Sequence, residues 1–168
     1  MWGQTSVTVL IAFALLSSGS FACTPGGFVF YSSAAGCLAT DSTGERLLMV
    51  QDTNSQWTFL AGSRAFSFFG FSDSGSTIAE RETMEESGID TTADRGAFCS
   101  TGGFLGFLSF AGYCCEPTDA AAVPTPVGVE TIAAACLSRA TIAVLEASHL
   151  RFPAQQQLLL DMIDNGLC

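Results

Sequence analysis

One helix signal stands out in this chain, and the residues on both sides of it read as strands. Residues 77–87 (TIAERETMEES) are rich in helix formers, with Thr77 and Glu80 spaced as a capping box. Gly88 follows, where a left-handed C-terminal residue belongs. Ahead of the helix lie short β-favouring runs at 28–31, 35–40, 46–51 and 57–60, with turns at 41–44 and 52–55. The segment 63–72 holds four Phe and reads as a strand or as a loop covering apolar surface. After the helix, 96–115 reads as strands broken at 101–103, 117–126 as a loop, 130–137 as a strand, and 139–147 and 154–165 as helices. No repeat or boundary divides the chain. Strands mixed with a few helices predict one layered α/β domain.

The helix carries unusual charge. Glu82, Glu85 and Glu86 stand at i, i+3 and i+4, within an arc of about 100° on one face. Arg81 reaches Glu85 at i+4. Like charges so close oppose helix formation unless a cation neutralises them, and hard divalent ions such as Mg2+ or Mn2+ take oxygen ligands of this kind. The ordinary meaning of a Glu-rich helix is a solvated face. Against that, Ile78, Ala79 and Met84 form no apolar stripe, so core packing does not account for the pattern. Metal binding and a solvated face both remain open on these residues alone.

Sixteen acidic residues face six basic ones, every basic residue is Arg, and the formal net charge is −10. No basic patch can be assembled for phosphate backbones or an anionic bilayer, which excludes a nucleic-acid binder and a membrane-surface protein. Seven of the sixteen acids lie between Asp73 and Asp94.

The first 22 residues carry no charged side chain, and 7–16 (VTVLIAFALL) form an apolar run followed by SSGS and Phe21-Ala22. This reads as a secretory signal peptide (1–22, cut after Ala22), too short to span a bilayer, with a buried N-terminal helix as the alternative. A secreted or periplasmic protein without stable membrane association after cleavage is expected. All seven cysteines follow the cut, with no C-x-x-C and no His at ligand spacing. They suit disulfides more than zinc, and an odd count leaves one over. Cys114 and Cys115, if on a strand, point to opposite faces and need different partners. His149, the only His, is assigned no role.

Residues 81–89 (RETMEESGI) resemble the core of the Nudix box, G-x5-E-x7-R-E-U-x-E-E-x-G-U with U a bulky apolar residue. Arg81, Glu82, Glu85, Glu86, Gly88 and Ile89 match in place, and Thr83 stands at an apolar position. The runs at 36–40, 45–50 and 57–60 resemble the strands that precede the box. The upstream half differs. Read without gaps, Ser67 and Asp73 replace the first Gly and Glu; read with a helix three residues shorter, Gly75 matches the Gly beside that Glu and Ser76 replaces it. Ala61-Gly62-Ser63 stands for the family's Pro-Gly-Gly.

The resemblance implies an α/β/α sandwich with a mixed sheet over 23–168. It also implies Mg2+- or Mn2+-dependent hydrolysis of a nucleoside diphosphate linked to another group, by water attack on phosphorus. Glu82, Glu85 and Glu86 would then be metal ligands, one of them also a base, with Arg81 orienting them. Asp73 and Glu130 are further candidate ligands, Glu130 being otherwise an ordinary surface residue. Trp57, stacking on a base, and Gly62 are candidate contacts to a nucleotide-type small molecule. No feature of the sequence sets an oligomeric state. The altered upstream half and the Phe-rich segment suit an alternative, a secreted disulfide-stapled binding module on a scaffold that has lost catalysis.

Overall fold

The structure, a computed structural model, describes residues 24–25, 34–63, 74–94, 99–101, 110–166 and 168. The expected signal segment, the run at 28–31, most of the Phe-rich segment and Asp73 lie outside the described residues. Strands β1 (Thr24–Pro25), β2 (Ala34–Ala39), β3 (Arg46–Asp52), β4 (Trp57–Thr58) and β5 (Leu60–Ser63) precede helix α1 (Gly75–Ser87). Strands β6 (Thr91–Ala93), β7 (Cys99–Thr101), β8 (Phe110–Pro117) and β9 (Thr131–Ser138) follow, then α2 (Arg139–Ala143) and α3 (Gln156–Asn165). Short 3-10 turns at Ala147–His149 and Pro153–Gln155 link the last two helices.

A six-stranded mixed sheet runs β1-β7-β8-β2-β5, with β6 also on β8, and a three-stranded sheet runs β4-β3-β9. The β2–β8 pair is parallel, from Ala34 opposite Phe110 to Ala39 opposite Cys115. Strand alternation builds two cores. Ala35, Cys37, Ala39, Leu48 and Val50 turn toward α1, joined by Ile78, Ala79, Leu60 and Tyr113. Leu38, Leu47 and Met49 turn the other way, against Phe59, Ile142, Leu150, Leu159 and Met162. Burying a side chain the size of Leu47 or Met162 contributes about 1.5–3 kcal/mol, so both faces of the sheets hold helices firmly. The result is the expected α/β/α arrangement with a mixed sheet. Among the described residues no helix is long and apolar enough to cross a membrane.

Three local expectations change. The run at 57–60 is not one strand: β4 pairs with β3 in one sheet, and β5 pairs with β2 in the other. The chain crosses between sheets at Phe59, whose ring is buried against Phe110 and Phe152. Helix α1 starts earlier than the capping box suggests. Ser74 is its N-cap, accepting from the Thr77 N–H at 3.2 Å, while Glu80 instead accepts from the Ala93 N–H and ties β6 to the helix. The expected helix at 139–147 is only the five residues of α2, capped by Ser138, before the chain turns.

Two disulfides join described cysteines, Cys37–Cys115 and Cys114–Cys168. The vicinal cysteines on β8 thus face opposite ways and take different partners, as strand geometry requires. Cys136 is free and half-buried.

Candidate functional site

The site is built where α1 lies along β5. Ile78, Ala79 and Met84 form no apolar stripe, as expected; the helix instead buries a mixed line of Ile78, Ala79, Thr83 and Ser87. Two residues of this line are hydroxyls made compatible with burial by bonds to the preceding turn, Thr83 to the Ala79 carbonyl at 2.8 Å and Ser87 to the Thr83 carbonyl at 2.7 Å. Met84, counted as apolar from the sequence, is 48% exposed. Gly88 closes the helix at φ 68, its N–H on the Met84 carbonyl. A side chain there would also strike the Thr125 carbonyl at 2.7 Å.

This line ranks the three glutamates. With about 100° per residue, Glu86 lies nearest the Ala79-Thr83-Ser87 line, Glu82 next, and Glu85 almost opposite. The side chains follow that order. Glu86 is half-buried and accepts the Ala61 N–H through Oε2 at 3.2 Å. Glu82, 15% exposed, lies against Gly62, where a Cβ would come within 1.9 Å of its carboxyl carbon. Glu85 is 58% exposed and sits 3.8 Å from Arg81, whose Nη2 donates to Glu82 at 2.8 Å. Arg81 thus bridges two of the acids, while its Nε is buried with no hydrogen-bond partner among the described residues.

Burial pushes the Glu82 carboxyl up; Arg81 opposes this, and Glu85 and Glu130 reinforce it. Burial acts more strongly on Glu86, which with Glu82 repulsion rises to about 8 despite the Ala61 N–H and the Arg151 charge. Glu130 is exposed, yet its charge bears on both acids. The loop before it is strapped over the end of α1 by the Thr125 N–H on the Ser87 carbonyl at 2.8 Å. Glu82, Glu86, Arg81 and Gly62 are therefore brought together, with Glu130 in electrostatic reach and Glu85 on the solvent side. Trp57 is half-buried in β4 and packs against the second core. Asp73 lies outside the described residues.

Among the described residues, no three His, Cys, Asp or Glu side chains form a complete metal cage. What is present still fits a hard divalent ion. Two partly buried carboxylates, both with raised proton affinity, offer only oxygen donors, and Mg2+ commonly takes one or two carboxylates, with water and substrate phosphates completing its shell. The sequence reading missed the Ala61 N–H, which no side-chain motif announces, and Arg151, 65 positions beyond Glu86.

No protein-family model matches the chain, and no curated protein matches it by sequence. Solved structures do. An ADP-ribose pyrophosphatase from Streptococcus suis is similar at 16% identity, covering 79% of this chain and 90% of that one, with a TM-score of 0.53. A Nudix hydrolase from Nitrosomonas europaea is similar at 14% identity over 79% and 69% of the two chains, TM-score 0.60. An Ap4A hydrolase from C. elegans is similar at 18% identity over 80% and 97%, TM-score 0.56. The chain has the fold of the Nudix hydrolases.

Proposed function

We propose that this protein is a Mg2+- or Mn2+-dependent pyrophosphohydrolase acting on a nucleoside diphosphate linked to another group. The observation that carries the reading is the seating of Glu82 and Glu86 together on β5, in a fold whose solved examples include an ADP-ribose pyrophosphatase and an Ap4A hydrolase. Glu82 and Glu86 would hold the ion, with Glu130 and the solvent-facing Glu85 as further carboxylates in range. The ion would supply positive charge to the pyrophosphate oxygens and acidify a bound water. Arg81 fixes the orientation of Glu82 by its 2.8 Å hydrogen bond and limits the repulsion among the acids. Gly62 leaves the space that Glu82 occupies, and the Ala61 N–H holds one oxygen of Glu86, so each carboxylate enters the site with its geometry already set.

Export is part of the proposal. An uncharged apolar leader cut after Ala22 and two disulfides suit an oxidising compartment. The experiment is metal-dependent turnover of a panel of nucleotide pyrophosphates, with Glu86→Gln as control. Turnover that needs Mg2+ or Mn2+ and falls at least about a hundredfold in the variant is expected. No turnover of any member, together with no calorimetric Mg2+ or Mn2+ binding, would leave the binding-module reading in its place.

A further inference from the structure

The arginines described in the structure are engaged differently. Arg46 is held by Asp41 at 2.7 Å, and Arg139 donates to Asp164 Oδ2 at 2.8 Å; both pairs are exposed. Arg81 belongs to the carboxylates themselves. Arg151 comes from the far end of the chain, and its placement is built. Its N–H donates to the Trp57 carbonyl at 3.0 Å, and the buried Leu150 forms a parallel bridge with Trp57. The Gln56 amide adds a bond to the Ser148 carbonyl at 3.2 Å.

The guanidinium lies 5.7 Å from the Phe152 ring centre, with Nη1 3.9 Å from Asp52 Oδ2. Asp52 cannot swing freely, because its Oδ1 accepts the Asn54 and Gln56 N–H groups at 2.8 and 3.0 Å. Trp57, which anchors Arg151, is four residues before Ala61, which anchors Glu86; that is about 13 Å of extended chain. The Arg151 charge is felt at Glu86. One short stretch therefore presents paired carboxylates at one end and a guanidinium at the other.

We propose that Arg151 is the phosphate-recognition residue of this site, binding the phosphate of the substrate that the carboxylate-held cation does not neutralise. The inference rests on the pyrophosphohydrolase reading and names what in this chain recognises the substrate's second charge. A pyrophosphate carries more negative charge than one divalent ion offsets. Arg81 faces its own acids, whereas Arg151 comes from outside the carboxylate cluster and is 35% exposed. A planar fork of N–H donors suits two phosphate oxygens better than an ammonium does.

The test is calorimetric binding of imidodiphosphate, a pyrophosphate that resists hydrolysis, to the full chain in Mg2+. Arg151→Gln is expected to weaken binding about tenfold or more while leaving Mn2+ affinity within about twofold. Arg151→Lys keeps a charge beside Asp52 and is expected to fall between the two; it serves if Arg151→Gln lowers the melting temperature sharply. Equal affinity in the wild type and both variants would overturn the proposal, and so would an absence of wild-type binding. Intact, Arg151-dependent binding with no turnover of any nucleotide pyrophosphate would instead sink the catalytic reading and leave this one standing.

Discussion

The carboxyl group of Glu82 occupies the space a side chain on Gly62 would need. A Cβ on Gly62 would come within 1.9 Å of Glu82 Cδ and 2.1 Å of Oε2. Glycine here makes room for the Glu82 side chain, independent of any left-handed backbone. Gly62→Ala should push Glu82 out of its seat, weakening Mn2+ binding about tenfold or more and costing about 1–3 kcal/mol of stability. Calorimetry and thermal unfolding measure the two separately. An unchanged Mn2+ affinity would remove Glu82 from the metal site.

Glu86 gives the metal-free protein a defined pH dependence. Its folded value, about 8, lies above the ordinary 4.5, so the folded state binds the proton more tightly than the unfolded state does. The resulting stability is complete below about 4.5 and is lost as pH rises through about 8. The melting temperature in EDTA should therefore fall across that window, and Glu86→Gln should flatten the fall. Metal competes with the same proton, so Mn2+ affinity should climb with pH until near 8. A melting temperature that rises over this window would contradict the buried, proton-holding Glu86.

Thr83 stands where the Nudix pattern has a bulky apolar residue, and it is fully buried. Its hydroxyl bonds a helix carbonyl that the backbone ladder also serves, so Thr83→Val should change stability by less than about 1 kcal/mol. Thr83→Leu adds volume at a fully buried position, and should cost about 1–3 kcal/mol. Urea unfolding of both variants is the measurement. A stabilised Thr83→Leu would mean that the helix stands off the sheet farther than described.

The two disulfides differ in access. Cys37 and Cys115 are buried, whereas Cys168 is exposed and Cys114 half-buried. Graded reduction followed by alkylation and mass spectrometry should therefore label the Cys114–Cys168 pair first. Cys168→Ser should cost about 2–4 kcal/mol, since the bridge closes a loop of 54 residues, while Cys136→Ser should change little. Simultaneous labelling of all four bridged cysteines would mean that the sheet opens whenever the C-terminus does.

Local chemistry made part of this structure legible. Gly88 ended the helix as its residue type demands, the turns at 41–44 and 52–55 hold, and the vicinal cysteines split as strand alternation requires. The carboxylates were visible too, but their ranking was not. Thr83 and Ser87 read as polar, so the buried line they complete was hidden, and with it the reason Glu86 goes inward and Glu85 outward. The split of 57–60 between sheets depends on Phe59 finding Phe110 and Phe152, contacts of long sequence separation that no local pattern encodes. Arg151 was illegible for the same reason. β6 was missed because three residues, Thr91–Ala93, are too few to show alternation.

The crossing at Phe59 also acts as a ruler. Trp57 and Ala61 belong to different sheets, yet five consecutive residues contain them both. The span between the Arg151 anchor and the Glu86 anchor thus has an upper limit set by covalent chain, which cannot stretch. One residue inserted between Thr58 and Leu60 would reset it by about 3.3 Å, roughly the step between neighbouring residues of a strand.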